Sequence, residues 1–384
     1  MPGVFRAAVW AVSVLGVVRA SRGAPEAVAE DVNAEHLATK IAALQESISR
    51  QGEKIAQLDR WRARQDRVLT HLARDGAGRL KVDADLVVAN HNLFVFANES
   101  ATSGDQPRGN VVVGLEHTYH AASNSFVAGR NNTISGDASV VSGGTRNVAS
   151  AQYAAVCGGA GNRALDYAAT VAGGAENRAM AEKALVSGGR SNVARGMYAT
   201  VSGGWSSDAS GDYASVSGGG YNHASGALSS VSGGISNMVP GDSASASGGY
   251  QNVASGKYAS VSGGWRNVAS GLAASITGGG VNEASGGNAS VTGGSNNLAR
   301  GDDASVSGGS FNEAWGRMSS VSGGGNNNAS GLVASVSGGR QNEAGGVASS
   351  VSGGKGNKAN GSWSSVLGGG ETNVHDVVGI HPGR

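Results

Sequence analysis

A fifteen-residue repeat is the feature that most constrains the fold of this chain. Counting from Val111 in steps of fifteen gives eighteen positions up to Val366, and fifteen of them hold Val. A Gly follows three residues after each of the eighteen, and an Asn follows six residues after fifteen of them. A flexible Gly/Ser-rich linker has no reason to keep this phase, whereas stacked coils of equal size do. The period therefore predicts an all-β fold, a parallel β-solenoid or β-roll of 15-residue coils.

The sequence of one repeat predicts how a coil is built. Strand alternation places Ala214, Val216 and Gly218 inward and the two Ser residues between them, Ser215 and Ser217, outward. The following Gly allows a turn with positive φ. Asn222 also tolerates left-handed backbone, and we expect stacked Asn amides to hydrogen-bond from coil to coil.

The amino-acid composition is consistent with a repeat fold and excludes several classes of function. Gly accounts for 65 of 384 residues and aromatic residues for only 5%. With 29 Lys+Arg against 28 Asp+Glu, the net charge of +1 removes the electrostatic basis for nucleic acid as a partner. One Cys excludes a disulfide framework within the chain. Since no catalytic or metal-binding motif is present, we expect a protein that is not an enzyme and has no cofactor or metal site.

The first twenty residues have the pattern of a signal peptide. Arg6 precedes an apolar run, Ala7 to Val18, of the length typical of the hydrophobic region of such peptides. Small residues predict cleavage after Ala20, which leaves residues 21–32 as a linker. We therefore expect a secreted or surface protein with no membrane span after cleavage.

Residues 33–75 carry an apolar heptad pattern that runs from Leu37 to Leu72. It predicts an α-helical coiled coil that joins copies of the chain, and a single amphipathic helix is the alternative. Gln51 and Arg62 occupy heptad positions that face the partner helix, which we call the seam. The pattern therefore leaves the number of helices in the coiled coil open. The seam residues proposed as oligomer contacts are Ile41, Leu44, Ile48, Ile55 and Leu58.

The remaining segments follow from these two patterns. Residues 76–110 are predicted to be an adaptor or neck, in which 83–88 and 93–96 are expected strands. Residues 111–365 are predicted to form the β-roll repeats, and residues 366–384 a terminal cap and tail.

Two sets of large side chains interrupt the small-residue repeat. The first lies three residues before the Val and is predicted to point outward, so it is a candidate oligomer interface. Its members are Tyr153, Tyr198, Tyr213, Leu228, Tyr258, Met318, Val333 and Trp363. The second follows the Gly pair and is a candidate contact surface for an extracellular glycan or protein. Its members are Trp205, Tyr221, Tyr250, Trp265 and Phe311. Isolated surface aromatics with no role are the alternative for both sets.

The unit Ala-Ser-Val-Ser-Gly-Gly-x-x-Asn-x-Ala-Ser-Gly resembles the head repeat of trimeric autotransporter adhesins, the YadA-like head family. The similarity covers residues 111–366, about two thirds of the chain. It implies a left-handed roll, a homotrimer and a role in extracellular attachment. Family members carry a C-terminal membrane anchor, and their stalk follows the head. Here the heptads precede the repeats and no anchor pattern is present, so a secreted or surface-associated trimer is the expectation.

The sequence therefore predicts an oligomeric, adhesin-like or structural surface protein that presents a rigid β-roll for multivalent attachment. An ice-binding solenoid is the alternative, in which Ser-x-Ser faces take the place of the Thr-x-Thr ladders of some insect antifreeze proteins. A viral receptor-binding fibre would suit the repeats but not the signal peptide.

Overall fold

The computed structural model describes residues 34–69, 72–74, 80–82, 109–119, 121–375 and 380–381. The chain divides into two compact units, Met1–Leu93 and Phe94–Arg384, which are described separately. The predicted signal peptide, the linker, most of the adaptor and the two strands expected within it lie outside the described residues.

The first unit contains a helix of 36 residues, Ala34–Leu69, and a short antiparallel hairpin formed by Leu72–Arg74 and Leu80–Val82. All helix side chains described, those of residues 36–64, are exposed. The predicted helix is therefore present, but its predicted end is wrong. Leu72, assigned to the last heptad, pairs with Val82 in the hairpin. The sequence between these strands contains Gly76 and Gly78, which favour a turn over a helix.

The second unit is a parallel β-solenoid of about 18 coils, as the repeat predicts. Each coil contributes one strand to a first parallel ladder, in which residues fifteen apart pair, for example Ser215 with Ser230. The strands of this first ladder are Val111–Leu115, Phe126–Arg130, Val140–Val141, Ala155–Val156, Thr170–Val171, Leu185–Val186, Thr200–Val201, Ser215–Val216, Ser230–Val231, Ser245–Ala246, Ser260–Val261, Ser275–Ile276, Ser290–Val291, Ser305–Val306, Ser320–Val321, Ser335–Val336, Ser350–Val351, Ser365–Val366 and Ile380–His381. The last pairing shows that coil geometry continues beyond residue 365.

A second parallel ladder runs along the other side of the coils. Its strands are Thr133–Ile134, Val148–Ala149, Arg163–Ala164, Arg178–Ala179, Val193–Ala194, Asp208–Ala209, His223–Ala224, Met238–Val239, Val253–Ala254, Val268–Ala269, Glu283–Ala284, Leu298–Ala299, Glu313–Ala314, Asn328–Ala329, Glu343–Ala344, Lys358–Ala359 and Asn373–Val374. Consecutive coils also pair through single residues that lie between the two strands of a coil in the sequence, for example Tyr250 with Trp265. These single-residue bridges form a third parallel row. Below, a row means the residues fifteen apart that stack in consecutive coils, and it is named after one member.

The interior is thin and is filled by small residues. Ala214, Val216 and Ala224 are almost fully buried, and the same positions in the other coils form one continuous core. Gly218, predicted to point inward, is only half-buried, and a Cβ added there would meet no atom within 4 Å. That prediction is wrong because the strand Ser215–Val216 ends before Gly218, and the alternation of faces ends with it. The chain then turns at Gly219, which takes φ 84° and where a Cβ would overlap the carbonyl oxygen of Gly234 in the next coil.

A buried ladder of Asn side chains joins the coils. The Asn222 amide donates to the carbonyl oxygens of Gly218 (2.8 Å) and, in the next coil, Gly234 (3.0 Å). Its Oδ1 accepts the backbone N–H of Asn237 at 3.0 Å. The predicted Asn ladder is thus present, interrupted at Ser207, where a hydroxyl replaces the amide. The expected left-handed backbone falls one residue earlier, for example on Tyr221 with φ 55°.

The register departs from the fifteen-residue count near the start of the solenoid. Phe126 pairs with Val140 and Val127 with Val141, so that coil is one residue shorter. Phe126, counted in the Val row, is half-buried, while Val127 is fully buried. The count is therefore wrong at this point. A one-residue shift exchanges the two faces of a strand, and here it puts the smaller side chain into the thin interior.

The Asn ladder predicts a large local cost for Asn267→Ala. The variant loses hydrogen bonds to Gly263 (2.9 Å), Gly279 (3.0 Å) and the Asn282 N–H (3.0 Å). Leaving buried polar groups without partners costs about 2 kcal/mol or more, which speeds amide hydrogen exchange at Asn282 about thirtyfold. In the control Asn296→Ser, the changed side chain makes no hydrogen bond within residues 121–375, and Ser236 already occupies the same row. Equal exchange rates in the two variants would contradict a stabilising role for the ladder.

Candidate functional site

Each coil has two outward corners that can carry large side chains. In the coil around Val216, the first corner is Asp212-Tyr213, before the strand, and the second is Gly220-Tyr221, after the Gly pair. We call the stacked corners the first edge and the second edge. Tyr213 (φ 58°) and Tyr221 (φ 55°) both have left-handed backbone, which turns the chain and directs the side chain outward.

The first edge carries the candidate interface residues. All eight, from Tyr153 to Trp363, are between 38% and 66% exposed, so they point outward as the alternation predicts. Neighbours along the edge contact one another: the rings of Tyr198 and Tyr213 stack at 5.0 Å with 5° between their planes. Tyr153 meets Tyr167 edge-on at 5.6 Å. Tyr167, like Met197 and Leu272, belongs to the preceding row, which the sequence analysis did not single out.

Lys183 occupies the first edge beside this aromatic stack. Its Nζ donates a hydrogen bond to the Tyr198 hydroxyl at 2.7 Å and lies 3.1 Å from the Glu182 carboxylate. These two contacts, the first more than the second, raise the pKa of Lys183 above its ordinary value. The edge therefore combines a retained positive charge with a stacked tyrosine pair.

The large residues of the first edge are unfavourable for their own backbone. A left-handed conformation costs a residue with a Cβ about 1–2 kcal/mol relative to Gly, and Asn tolerates it better than most. Yet Leu228, Met318 and Val333 take φ between 58° and 59°. The same conformation occurs in this row at small residues such as Ser243 and Ala273, so the turn of every coil requires it and the row accepts large side chains at that cost.

The second edge carries the candidate ligand contacts, in two neighbouring rows. Trp205, Tyr250 and Trp265 lie in the bridging row, whereas Tyr221 and Phe311 lie in the left-handed row beside it. These five side chains are between 45% and 55% exposed.

Four of these five side chains lie in consecutive coils of the second edge, together with Ile235, which was not among the predicted contacts. The rings of Trp205 and Tyr221 lie 4.8 Å apart. Ile235, Tyr250 and Trp265 pair in consecutive coils, and Ile235 is 50% exposed. The fifteen-residue spacing before Tyr250 would have identified Ile235. We call Trp205, Tyr221, Ile235, Tyr250 and Trp265 the aromatic ridge. Phe311 is not part of it, because Gly280 and Ser295 follow Trp265 in the bridging row.

Neighbouring residues hold the Trp265 ring in place. A Cβ added at Gly280, in the next coil, would overlap the indole, so the ring lies directly against that glycine. The guanidinium of Arg266 lies 5.6 Å from the centre of the Trp265 ring, and its Nε donates to Gln251 at 3.0 Å. The ridge thus offers aromatic faces next to hydrogen-bonding groups, the combination that sugar rings and protein surfaces both use.

Between the two edges lies a flat surface of small residues, which we call the hydroxyl face. It is formed by the Ser215, Ser217 and Gly218 rows. Ser is present in the Ser215 row of every coil from Ser215 to Ser365, and Ser or Thr in the Ser217 row up to Ser352. None of the three rows holds a charged residue between 140 and 366. Cys157, the single cysteine, lies in the Ser217 row and is exposed.

The helix of the first unit also exposes its apolar residues. The predicted seam residues Ile41, Leu44, Ile48, Ile55 and Leu58 are between 46% and 67% exposed. Polar contacts such as the ion pair of Arg50 with Glu46 run along the same helix.

Comparison with family models and with curated proteins gives no relative. No family model matches the chain, and no curated protein matches it either. Among the residues described, no helix has the length and apolarity to cross a bilayer, and no three His, Cys, Asp or Glu side chains are grouped to hold a metal ion.

Proposed function

We propose that this chain is a secreted, self-associating surface protein that presents its solenoid for multivalent attachment, as an adhesin or as a structural rod. One observation carries this proposal. The interior is already filled by buried Ala, Val and Asn, while rows of large apolar side chains remain exposed along both edges. Contiguous exposed apolar surface on a complete fold is typical of interaction sites.

Self-association is supported by the helix and by the first edge. Exposed Ile and Leu at heptad spacing have no partner within the described part of their own chain, and a second helix would bury them. The stacked tyrosines of the first edge would bury apolar area in the same way. The threefold number and the left-handed winding rest on the resemblance to YadA-like heads, and secretion rests on the signal-peptide pattern.

Attachment is supported by the aromatic ridge. Trp205 and Trp265 are four coils apart, a span of about 19 Å on one edge of a stiff scaffold. A weak contact at each ring, repeated in several associated copies, gives strong overall attachment through effective concentration.

The oligomer is tested by measuring the mass of the purified chain with light scattering. We expect three copies per particle, and a monomer would contradict the proposal. Tyr213→Ser with Tyr258→Ser should weaken association at micromolar concentration, because it removes two exposed rings from the first edge. Ser243 already occupies that row, so the fold tolerates the change. The control Tyr221→Ser, on the second edge, should leave the mass unchanged.

Attachment is tested by binding the oligomer to arrays of glycans and of extracellular proteins. Trp205→Ser with Trp265→Ser should lower apparent affinity at least tenfold, since stacking on one aromatic ring is worth about 1 kcal/mol and several rings act together. Phe311→Ser removes an equally exposed ring outside the ridge and should change affinity less than twofold. If both variants lost affinity equally while the mass of the oligomer stayed unchanged, the aromatic ridge would not be the contact surface.

A second candidate, ice binding, is favoured by the hydroxyl face. Its Ser and Thr hydroxyls repeat in register from coil to coil, and no charged residue interrupts the face. On this candidate, thermal hysteresis should appear at micromolar concentration and disappear in Ser247→Tyr, which breaks the flat surface. Absence of hysteresis in the unchanged chain rules this candidate out and leaves the first proposal intact.

A further inference from the structure

An open groove near the start of the solenoid is lined by three arginines. It has a volume of about 600 Å³ and lies between the second edge and the second ladder. Arg146 lines the groove from the second edge, and Arg163 and Arg178 line it from the second ladder. Gly161 takes a place in the Arg146 row where most other coils carry a side chain, which opens the middle of the groove. Val148 and Val193 close its two ends.

The two ladder arginines are direct neighbours with like charge. Arg163 pairs with Arg178 in the parallel ladder, so their Cα atoms are about 4.8 Å apart. Like charges in adjacent strands repel. Within residues 121–375, the guanidinium groups of Arg163, Arg178 and Arg146 make no hydrogen bond and no ion pair. The one carboxylate in the groove, on Glu176, accepts a hydrogen bond from Ser191 at 3.1 Å.

Other charged residues of the same row have partners. Asp208 pairs with Arg195 at 3.0 Å, and Lys358 pairs with Glu343 at 3.1 Å. Glu283 lies 3.7 Å from Arg300. Arg163 and Arg178 therefore differ from the row they belong to: they are adjacent, alike in charge and without an acid.

We propose that this groove is a binding site for an acidic polysaccharide, with Arg163 and Arg178 holding its carboxylate or sulfate groups. Guanidinium groups bind such oxyanions through paired N–H donors, and a bound anion removes the repulsion between the two side chains. This inference goes beyond the proposed function, because it holds for a single copy of the chain and for a site apart from the aromatic ridge.

The surroundings of the groove favour a polysaccharide over other polyanions. With a net charge of +1, the chain lacks the strongly basic surface of nucleic-acid-binding proteins. Three arginines are fewer than the four to eight basic residues of typical clusters that bind anionic membranes. A peptide cannot add a strand here, because the ladder beneath is already paired on both sides, as Arg178 shows with Arg163 and Val193.

The site is tested by titrating the full chain with dextran sulfate and with polygalacturonate, using neutral dextran as the reference. We expect at least one of the two acidic polymers to bind and dextran not to bind. Binding of dextran sulfate indicates a preference for sulfate groups, and binding of polygalacturonate a preference for carboxylates. Arg163→Val with Arg178→Val should lower affinity at least tenfold. Val193 already occupies this row, so the fold is retained, and without ligand this variant should melt at a higher temperature because the repulsion is gone.

A charge-matched control separates this site from general attraction. Arg317→Ser with Arg340→Ser removes two exposed charges elsewhere and should change affinity less than twofold. In a further variant, Gly161→Gln should block the groove without unfolding the coil, since Gln251 has the same backbone in the same row. The inference is overturned by failure of both acidic polymers to bind, by equal losses in the two arginine variants, or by equally tight binding of duplex DNA or of anionic vesicles.

Discussion

Hydrogen bonding between neighbouring coils is the interaction on which the rest of this solenoid depends. Most strands are only two residues long, and each finds its partners in the coils before and after it. The Asn222 row adds a side-chain amide that bonds its own coil and the next one. Because the interior holds little more than Ala, Val and Asn, hydrophobic burial within one coil is too small to order it alone.

This constraint also organises the surface. Since residues fifteen apart stack, an outward row can keep one chemical character over many coils, as the Ser215 row does. The Ser215 and Ser217 rows are uncharged, the two edges carry most of the exposed aromatic residues, and Asp208, Glu283, Glu343 and Lys358 of the His223 row form ion pairs. A binding property on such a scaffold belongs to a row and its neighbours, which is why single large residues are less informative than their spacing.

The repeat alone predicted the coil length, the parallel ladders, the buried Val row and the outward Tyr213 row. It failed where a local preference overrides the period. At Phe126 the register shifts by one residue, so that the smaller Val127 is buried, and the strand Ser215–Val216 ends before Gly218 can point inward.

The candidate surfaces were only partly visible in the sequence. Ile235 was not predicted because the contact surface was sought among aromatic residues and Ile235 is aliphatic. The Arg163–Arg178 pair was missed because a missing acidic partner is apparent only once neighbouring rows are placed in space. From Val140 onward, the strands of the first ladder pair with a constant spacing of fifteen residues. Deleting or duplicating fifteen residues rejoins equivalent backbone, so evolution can lengthen or shorten it by whole coils, about 4.8 Å at a time, without redesigning the packing.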